Sequence, residues 1–260
     1  MQVEELEINN VGQFSKRDKA YYLNDSAYKP YIEYPFDIDY IEQALQAKSQ
    51  HSIDRNLLVS VLNEQYEGVD KSSLTTAHIN SLLNPNCYTV ITAHQPSLLT
   101  GPLYYIFKIL SAIKLASTLN EKHKEHEFVP VFVIGAEDHD FEEVNHMHLY
   151  GKQITWENNG KGPIGQFSLD GIAEVLDNVD TLLGDKSQAK DLISSLKAIL
   201  PTLSNYGEFS FHVTQKLFDH LGLVVLRMGD KRLKKAFSPI IKKEIVERPS
   251  QALVLSLIHI

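Results

Sequence analysis

Two polar segments, each directly after an apolar run, carry the side chains best suited to chemistry. Residues 92–108 follow one run and residues 135–143 follow another. An imidazole beside the start of a helix can hold a phosphate or move a proton. A carboxylate paired with a histidine can act as an oriented general base, or accept hydrogen bonds from an amine or a ribose. The two segments together predict a small-molecule site.

The first segment offers anion and hydrogen-bonding groups around the predicted start of a helix. Thr100 or Gly101 can cap that helix, and Pro102 suits its first position because no amide donor is needed there. Tyr104 and Lys108 are four residues apart and share one face of the helix. Taken singly, each residue also has a structural explanation in a turn, the core or solvent. The candidate binding residues are His94, Gln95, Thr100, Gly101, Tyr104 and Lys108.

The second segment is rich in ionisable groups. Asp138, His139 and Asp140 are the candidate catalytic residues, and Glu137 is a further binding candidate. Four ionisable side chains so soon after an apolar run are costly unless they are paired or exposed in a cleft. The alternative is an acidic helix start that complements the helix dipole, which explains Asp138 and Asp140 better than His139.

A metal site is a further alternative. If the helix after residue 140 continues, His139, Glu143 and His146 fall on one face, as in a metal-dependent hydrolase. The HExxH pattern is absent, so metal binding ranks below nucleotide or substrate binding. We predict no protein-held metal, and Mg²⁺ only in company with a nucleotide.

Strand–helix–strand order positions both segments. Tyr88–Thr92 reads as a strand, residues 102–122 as a helix and Phe128–Ile134 as a strand buried on both faces. This order is typical of a parallel α/β sheet with a right-handed crossover. Because ligands bind at the carboxyl ends of such strands, we expect the two segments to face each other across a crevice.

The rest of the chain divides by its patterns into five regions. We predict a helical N-terminal region that packs on the core, the first half of the core, an inserted connective segment, a return to the core, and a non-native tail. The tail's last residues resemble a translated sequencing adapter. The ranges are 1–86, 87–149, 150–203, 204–248 and 249–260.

Within the connective segment we predict a hairpin and two helices. Residues 153–156 form its first strand, and residues 164–169 pair back after a glycine-rich turn. The glycines at 162–166 could instead let backbone approach a ligand. After a third core strand at 223–226, Arg227 and Asp230 could also border the crevice.

Composition excludes several classes of function. The 260 residues carry a formal net charge of −8 spread along the chain, which argues against nucleic acid as a partner. The single cysteine, Cys87, cannot form an internal disulfide or a CxxC metal site. No apolar run is long enough to span a bilayer and the N-terminus is not a signal peptide, so we expect a cytoplasmic protein without a membrane partner.

Three stretches, in order, resemble the BshC family of cysteine ligases in bacillithiol biosynthesis. Residues 92–108 are similar to a TGQQ-type segment followed by TGPLY and a lysine. Residues 130–146 are similar to a strand and EDHD block, which is the most specific match. Residues 221–239 are similar to a later strand and helix. The resemblance covers roughly residues 21–248.

The resemblance implies both a fold and a reaction. The fold is a Rossmann-like parallel sheet core of the HUP and class I synthetase type, with connective insertions and a later coiled coil. The reaction is addition of L-cysteine to glucosaminyl-malate, with ATP as the expected energy source. Because the family's chains are longer, we expect this one to be an N-terminal fragment of a homodimer.

Two positions depart from the family pattern. His94 stands where glutamine is more common, and Gln166 stands where arginine is common. We therefore rate His94 as a ligand contact before a proton carrier, and assign acid–base chemistry to Asp138 and His139. A non-catalytic binding module remains the alternative for the fragment itself.

Overall fold

The computed structural model describes residues 4–35, 37–184 and 187–258. Residues 54–235 form one compact unit, and residues up to 53 together with those from 236 onward form a second. The predicted N-terminal region of 1–86 is thus divided between the two units. The sheet and both polar segments belong to the first.

The chain contains both helices and strands, and all the strands belong to the larger unit. The helices are α1 (Lys16–Tyr22), α2 (Ile41–Ser49), α3 (Arg55–Gln65), α4 (Ser73–Ser81), α5 (Leu103–Lys122), α6 (Phe141–Val144), α7 (Ile172–Leu183), α8 (Ser187–Ile199), α9 (Tyr206–Phe218), α10 (Lys231–Glu247) and α11 (Pro249–Ile258). The strands are β1 (Cys87–His94), β2 (Glu127–Ile134), β3 (His146–Leu149), β4 (Lys152–Thr155) and β5 (Val224–Arg227).

The central sheet is parallel, with the order β1-β2-β5. The register aligns His94 with Ile134 and Ile134 with Arg227, so all three strands end at the same level. Six of the eight residues of β2 are buried, as expected for a strand covered on both faces. The prediction of a parallel α/β sheet is confirmed.

Two helices pack on each other as well as on the sheet. The Tyr105 hydroxyl of α5 lies 2.9 Å from Thr214 Oγ1 of α9, and both side chains are buried. The Tyr105 ring also contacts Phe132 of β2 at a centroid distance of 4.9 Å. A buried hydroxyl pair of this kind satisfies both groups and fixes the relative position of the helices.

Side chains of α3 and the residue after it close the outer edge of β5. The Val225 amide donates to Tyr66 Oη at 2.8 Å. The Gln65 side chain bonds both backbone groups of Arg227, accepting from the amide and donating to the carbonyl at 2.9 Å each. The amide group of Gln65 thereby takes the place of a neighbouring strand's peptide.

The connective segment has its own core. Trp156, Ile164, Phe167 and Leu176 are buried together with Tyr206 of α9. The prediction that residues 153–156 pair with residues 164–169 is wrong. β4 pairs antiparallel with β3, and residues 164–166 form a 3₁₀ turn. Their amides are already used, because Ile164 donates to the Asp138 carbonyl and Gly165 to the Ala136 carbonyl.

The second unit combines the chain's first helices with its last. A capping box of Ser15 and Asp18 begins α1. The Tyr31 hydroxyl lies 2.5 Å from Ser256 Oγ of α11, which includes most of the predicted tail. Among the described residues, no helix combines the length and the apolar character that crossing a bilayer requires.

Replacing Tyr66 with Phe tests the closed edge of β5. We expect Tyr66→Phe to lower the free energy of unfolding by about 1–3 kcal/mol, because the Val225 amide would stay buried without an acceptor. Urea unfolding followed by circular dichroism measures the change. Tyr40→Phe, at an exposed tyrosine, is the control, and equal effects of the two variants would contradict the prediction.

Candidate functional site

Two polar segments leave the sheet side by side. β1 ends at His94 opposite the last residue of β2, and the next amide, Gly135, donates to the His94 carbonyl at 2.8 Å. The register therefore places residues 95 and 136–138 next to each other.

Gln95 joins the two segments. Its Nε2 donates to Asp138 Oδ2 at 2.6 Å and to Glu143 Oε2 at 3.2 Å. One amide group thus holds two carboxylates that would otherwise repel each other. Gln95 was a predicted binding residue, and Glu143 was a candidate only for a metal.

Asp138 is held in its ionised form. Its Oδ1 accepts the amides of His139 at 2.6 Å and Asp140 at 3.3 Å. These bonds, after the larger effect of the Gln95 amide, keep the pKa of the Asp138 carboxyl below its ordinary value. A carboxylate with a lowered pKa is better suited to binding a cation than to taking up a proton.

His94 is engaged on both ring nitrogens. Nδ1 lies 3.1 Å from the Gln95 carbonyl, so we assign the ring proton to Nδ1. Nε2 then accepts from the Tyr104 hydroxyl at 3.0 Å. Burial, and less strongly the charge of Lys108, lower the pKa of His94 despite the Gln95 carbonyl. A neutral imidazole fits a ligand contact.

Lys108 reaches the end of β1. Its Nζ donates to the Ala93 carbonyl at 3.0 Å, and the side chain is exposed. His94, Tyr104 and Lys108 therefore form one group beside β1, while Gln95 turns toward Asp138.

The loop before α5 has unusual backbone geometry. Leu99 and Thr100 have φ values of 45° and 74°, and Gly101 follows with φ 48° and ψ −123°. A β-branched residue such as Thr100 rarely adopts positive φ, and such strain tends to occur at functional sites. Pro102 does not occupy the first helical position as predicted. It is the N-cap, with ψ 146°, and no side chain caps the first amides of α5.

The other ionisable candidates of the second segment have different surroundings. Glu137 pairs with Lys234 of α10. His139 and Asp140 are exposed. The Asp138 carboxylate bonds the backbone of His139, and within the described ranges the His139 imidazole has no hydrogen bond.

The predicted metal face does not form. α6 ends at Val144, and His146 lies on β3, so His139, Glu143 and His146 do not share a helix face. The helix ends because Trp156 donates its amide to the Asn145 carbonyl, which draws the chain into the β3–β4 hairpin. The structure therefore does not support a metal-dependent hydrolase that uses these three residues.

A cavity of about 380 Å³ lies on the other side of residues 136–138, above the ends of β2 and β5. The sequence indicated that Arg227 and Asp230 could border a crevice, but it gave no place to two walls of this cavity. One is Gln65 at the end of α3, and the other is Asn205 with Gly207 at the start of α9. The signal for Asn205 was its place three residues before Glu208, a typical N-cap spacing.

The comparisons with known proteins agree with this architecture. The family model described as bacillithiol biosynthesis BshC, N-terminal Rossmann-like domain, matches residues 1–258. A protein of Cytophaga hutchinsonii is 36% identical over 97% of this chain and 46% of its own length. One of Christiangramia forsetii is 40% identical over 78% of this chain and 38% of its own length.

A more distant relative from Bacillus cereus is 27% identical over 92% of this chain and 46% of its own length. All three relatives are named "Putative cysteine ligase BshC". The chain spans less than half the length of these relatives.

Replacing Gln95 tests its control of Asp138. In Gln95→Leu we expect the pKa of Asp138 to rise toward its ordinary value, because the largest stabilising hydrogen bond to the carboxylate is lost. The ionised form would then be lost at a higher pH as the solution is acidified. The ¹³C shift of the Asp138 carboxyl, followed against pH, measures this. Gln46→Leu is the control, and an unchanged Asp138 midpoint in Gln95→Leu would contradict the prediction.

Replacing Gly101 tests the strained loop. An added Cβ would lie 2.7 Å from Ser97 Cβ, at a φ that side chains rarely adopt. We expect Gly101→Ala to lower the free energy of unfolding by about 1–3 kcal/mol in urea. Gly12→Ala is the matched control, since nothing lies within 4 Å of its added carbon. A loss no larger than in that control would show that the loop relaxes freely.

Proposed function

This chain belongs to the BshC family, and we propose that it forms the substrate-binding, Rossmann-like part of a cysteine ligase. The proposed reaction joins L-cysteine to glucosaminyl-malate in the last step of bacillithiol biosynthesis. It takes place in the cytoplasm, and the full-length protein is a homodimer through a coiled coil beyond this chain.

The shared contact of Gln95 with Asp138 and Glu143 carries the proposal. Asp138 and Glu143, both from the chain that follows β2, meet Gln95 from the end of β1, and the hydrogen bonds of Asp138 keep its pKa low. Such a pair attracts an ammonium group. We assign it to the ammonium of L-cysteine, with Asp138 as the main contact and Glu143 as the second.

The start of α5 is suited to an anion such as a phosphate of ATP. Among the described residues no side chain caps its first amides, and the exposed Lys108 lies at the same strand end. His94 lies beside them with both ring nitrogens bonded, so it would hold the Tyr104 hydroxyl in place at the site. ATP would supply the activation of the carboxyl group that the ligase needs. Gln95, Thr100, Gly101 and Tyr104 would position these contacts, with Mg²⁺ present only as the partner of the nucleotide.

Proton transfer falls to the exposed residues of the second segment. An amide bond forms when the acceptor's amine nitrogen attacks the activated carboxyl carbon of cysteine; the bond from that carbon to the activating group breaks, and the amine loses a proton. His139 is exposed beside Asp138, and a histidine side chain can take up a proton as a general base. We therefore propose His139 as the proton acceptor, with Asp140 and Glu137 as its acidic neighbours in the sequence.

The assay uses full-length protein with L-cysteine, glucosaminyl-malate and ATP, and detects the thiol product by mass spectrometry. We expect Asp138→Asn to lower kcat/KM for cysteine about 10- to 100-fold, the value of a lost hydrogen bond to a charged group. Asp191→Asn, at an exposed residue of α8, is the matched control.

Two outcomes would count against the proposal. Absence of thiol product with every nucleotide tested would rule out the ligase reaction. Full activity of Asp138→Asn would leave the reaction standing but remove Asp138 from cysteine binding.

A further inference from the structure

The cavity above β2 and β5 has walls from several parts of the chain. Arg227 is the last residue of β5, Asn205 and Gly207 lie at the start of α9, and Gln166 lies in the 3₁₀ turn. Its volume of about 380 Å³ is that of a small-molecule site. Ala136 lines it, and Asp138 two residues later contacts Gln95, so the cavity adjoins the proposed cysteine site.

The two carboxylates that border the cavity are already hydrogen-bonded to one arginine. Arg232 bonds both oxygens of Glu64, at 2.8 Å and 2.6 Å. The same guanidinium bonds Asp230 at 2.9 Å, and Asp230 also caps the start of α10 by accepting the amide of Arg232. These two carboxylates therefore have little capacity left for a cationic ligand.

Among the described residues, Arg227 has an N–H donor without an acceptor. Its guanidinium is held 5.5 Å above the Phe211 ring and touches Glu208 through one nitrogen at 3.3 Å. Its Nε is buried and has no hydrogen-bond partner among the described residues. Because a buried unpaired donor is costly, this group is suited to a ligand that brings an acceptor.

The start of α9 adds further donors. Asn205 Oδ1 accepts the Glu208 amide at 3.0 Å, which leaves its NH₂ group for a ligand. In the described structure the Gly207 amide has no acceptor, as is usual at the second position of a helix. The Gly207 Cα is held close to the 3₁₀ turn, since a Cβ there would lie 3.0 Å from the Gly165 carbonyl.

We propose that this cavity binds the carboxylate end of a small organic acid. The unpaired groups of Arg227, Asn205 and Gly207 are hydrogen-bond donors, so the ligand must supply acceptors. The planar guanidinium of an arginine matches the two oxygens of a carboxylate. Resting on the proposed ligase function, the ligand is the malyl end of the acceptor substrate. Arg227, Asn205 and the Gly207 amide contact its carboxylate.

The direct test titrates the ¹⁵N-labelled chain with L-malate and follows the Arg227 Nε–H and Gly207 amide signals. We expect both signals to shift with saturation. Arg227→Gln should weaken L-malate binding about 10- to 100-fold. Lys152→Gln removes the same charge at an exposed position of β4 and should leave the affinity unchanged.

Asn205→Asp separates binding from folding. Aspartate remains a good N-cap for α9 but replaces the free NH₂ with a negative charge. We expect unchanged urea stability and loss of L-malate binding. Retained binding in Asn205→Asp or Arg227→Gln would overturn the proposal.

Comparison ligands define the chemistry of the site. Inorganic phosphate or L-cysteine binding at the Arg227 and Gly207 signals more tightly than L-malate would overturn the assignment. In the full-length ligase, Arg227→Gln should raise KM for glucosaminyl-malate and leave KM for cysteine unchanged. An unchanged KM for glucosaminyl-malate would refute the cavity site, while L-malate binding without any ligase turnover would refute the proposed function and leave the cavity assignment standing.

Discussion

The register of β1 against β2 is the constraint on which the site depends. Side chains in a strand alternate between faces, so a slip of one residue would turn Gln95 away from Asp138. The hydrogen bond from the Gly135 amide to the His94 carbonyl, and those from the 3₁₀ turn to the Ala136 and Asp138 carbonyls, fix the position of the next residues. Both the carboxylate pair and one wall of the cavity follow from this alignment.

Local pattern was sufficient for most of the fold. Apolar runs located the three parallel strands, and the helix predicted over residues 102–122 corresponds to α5. Sequence pattern did not predict the structure where contacts between distant residues determine it. Nothing in residues 141–148 says that the chain leaves the helix for a hairpin, because that depends on Trp156 binding the Asn145 carbonyl. The pairing of β4 with β3 was missed for the same reason.

The meeting of the two polar segments could be predicted from the sequence, but their individual contacts could not. Two polar stretches after two buried strands indicated that they meet, and the family resemblance pointed to the same residues. The sequence did not show that the two neighbouring residues have different partners: His94 contacts Tyr104, whereas Gln95 contacts Asp138. Gln65 and Arg227 meet across 162 positions of sequence, which no local signal encodes. Such contacts arise only once the sheet has formed.

The closed edge of β5 determines at which edge of the sheet a further strand can pair. The Val225 amide is already bonded to Tyr66, and both backbone groups of Arg227 are bonded to Gln65. On β1, side chains occupy only the Cys87 and Ala93 carbonyls among the described outward-facing groups, and Thr89 and Ile91 between them are exposed. Any strand that extends this sheet, whether from the same polypeptide or from an aggregating neighbour, must therefore add beside β1.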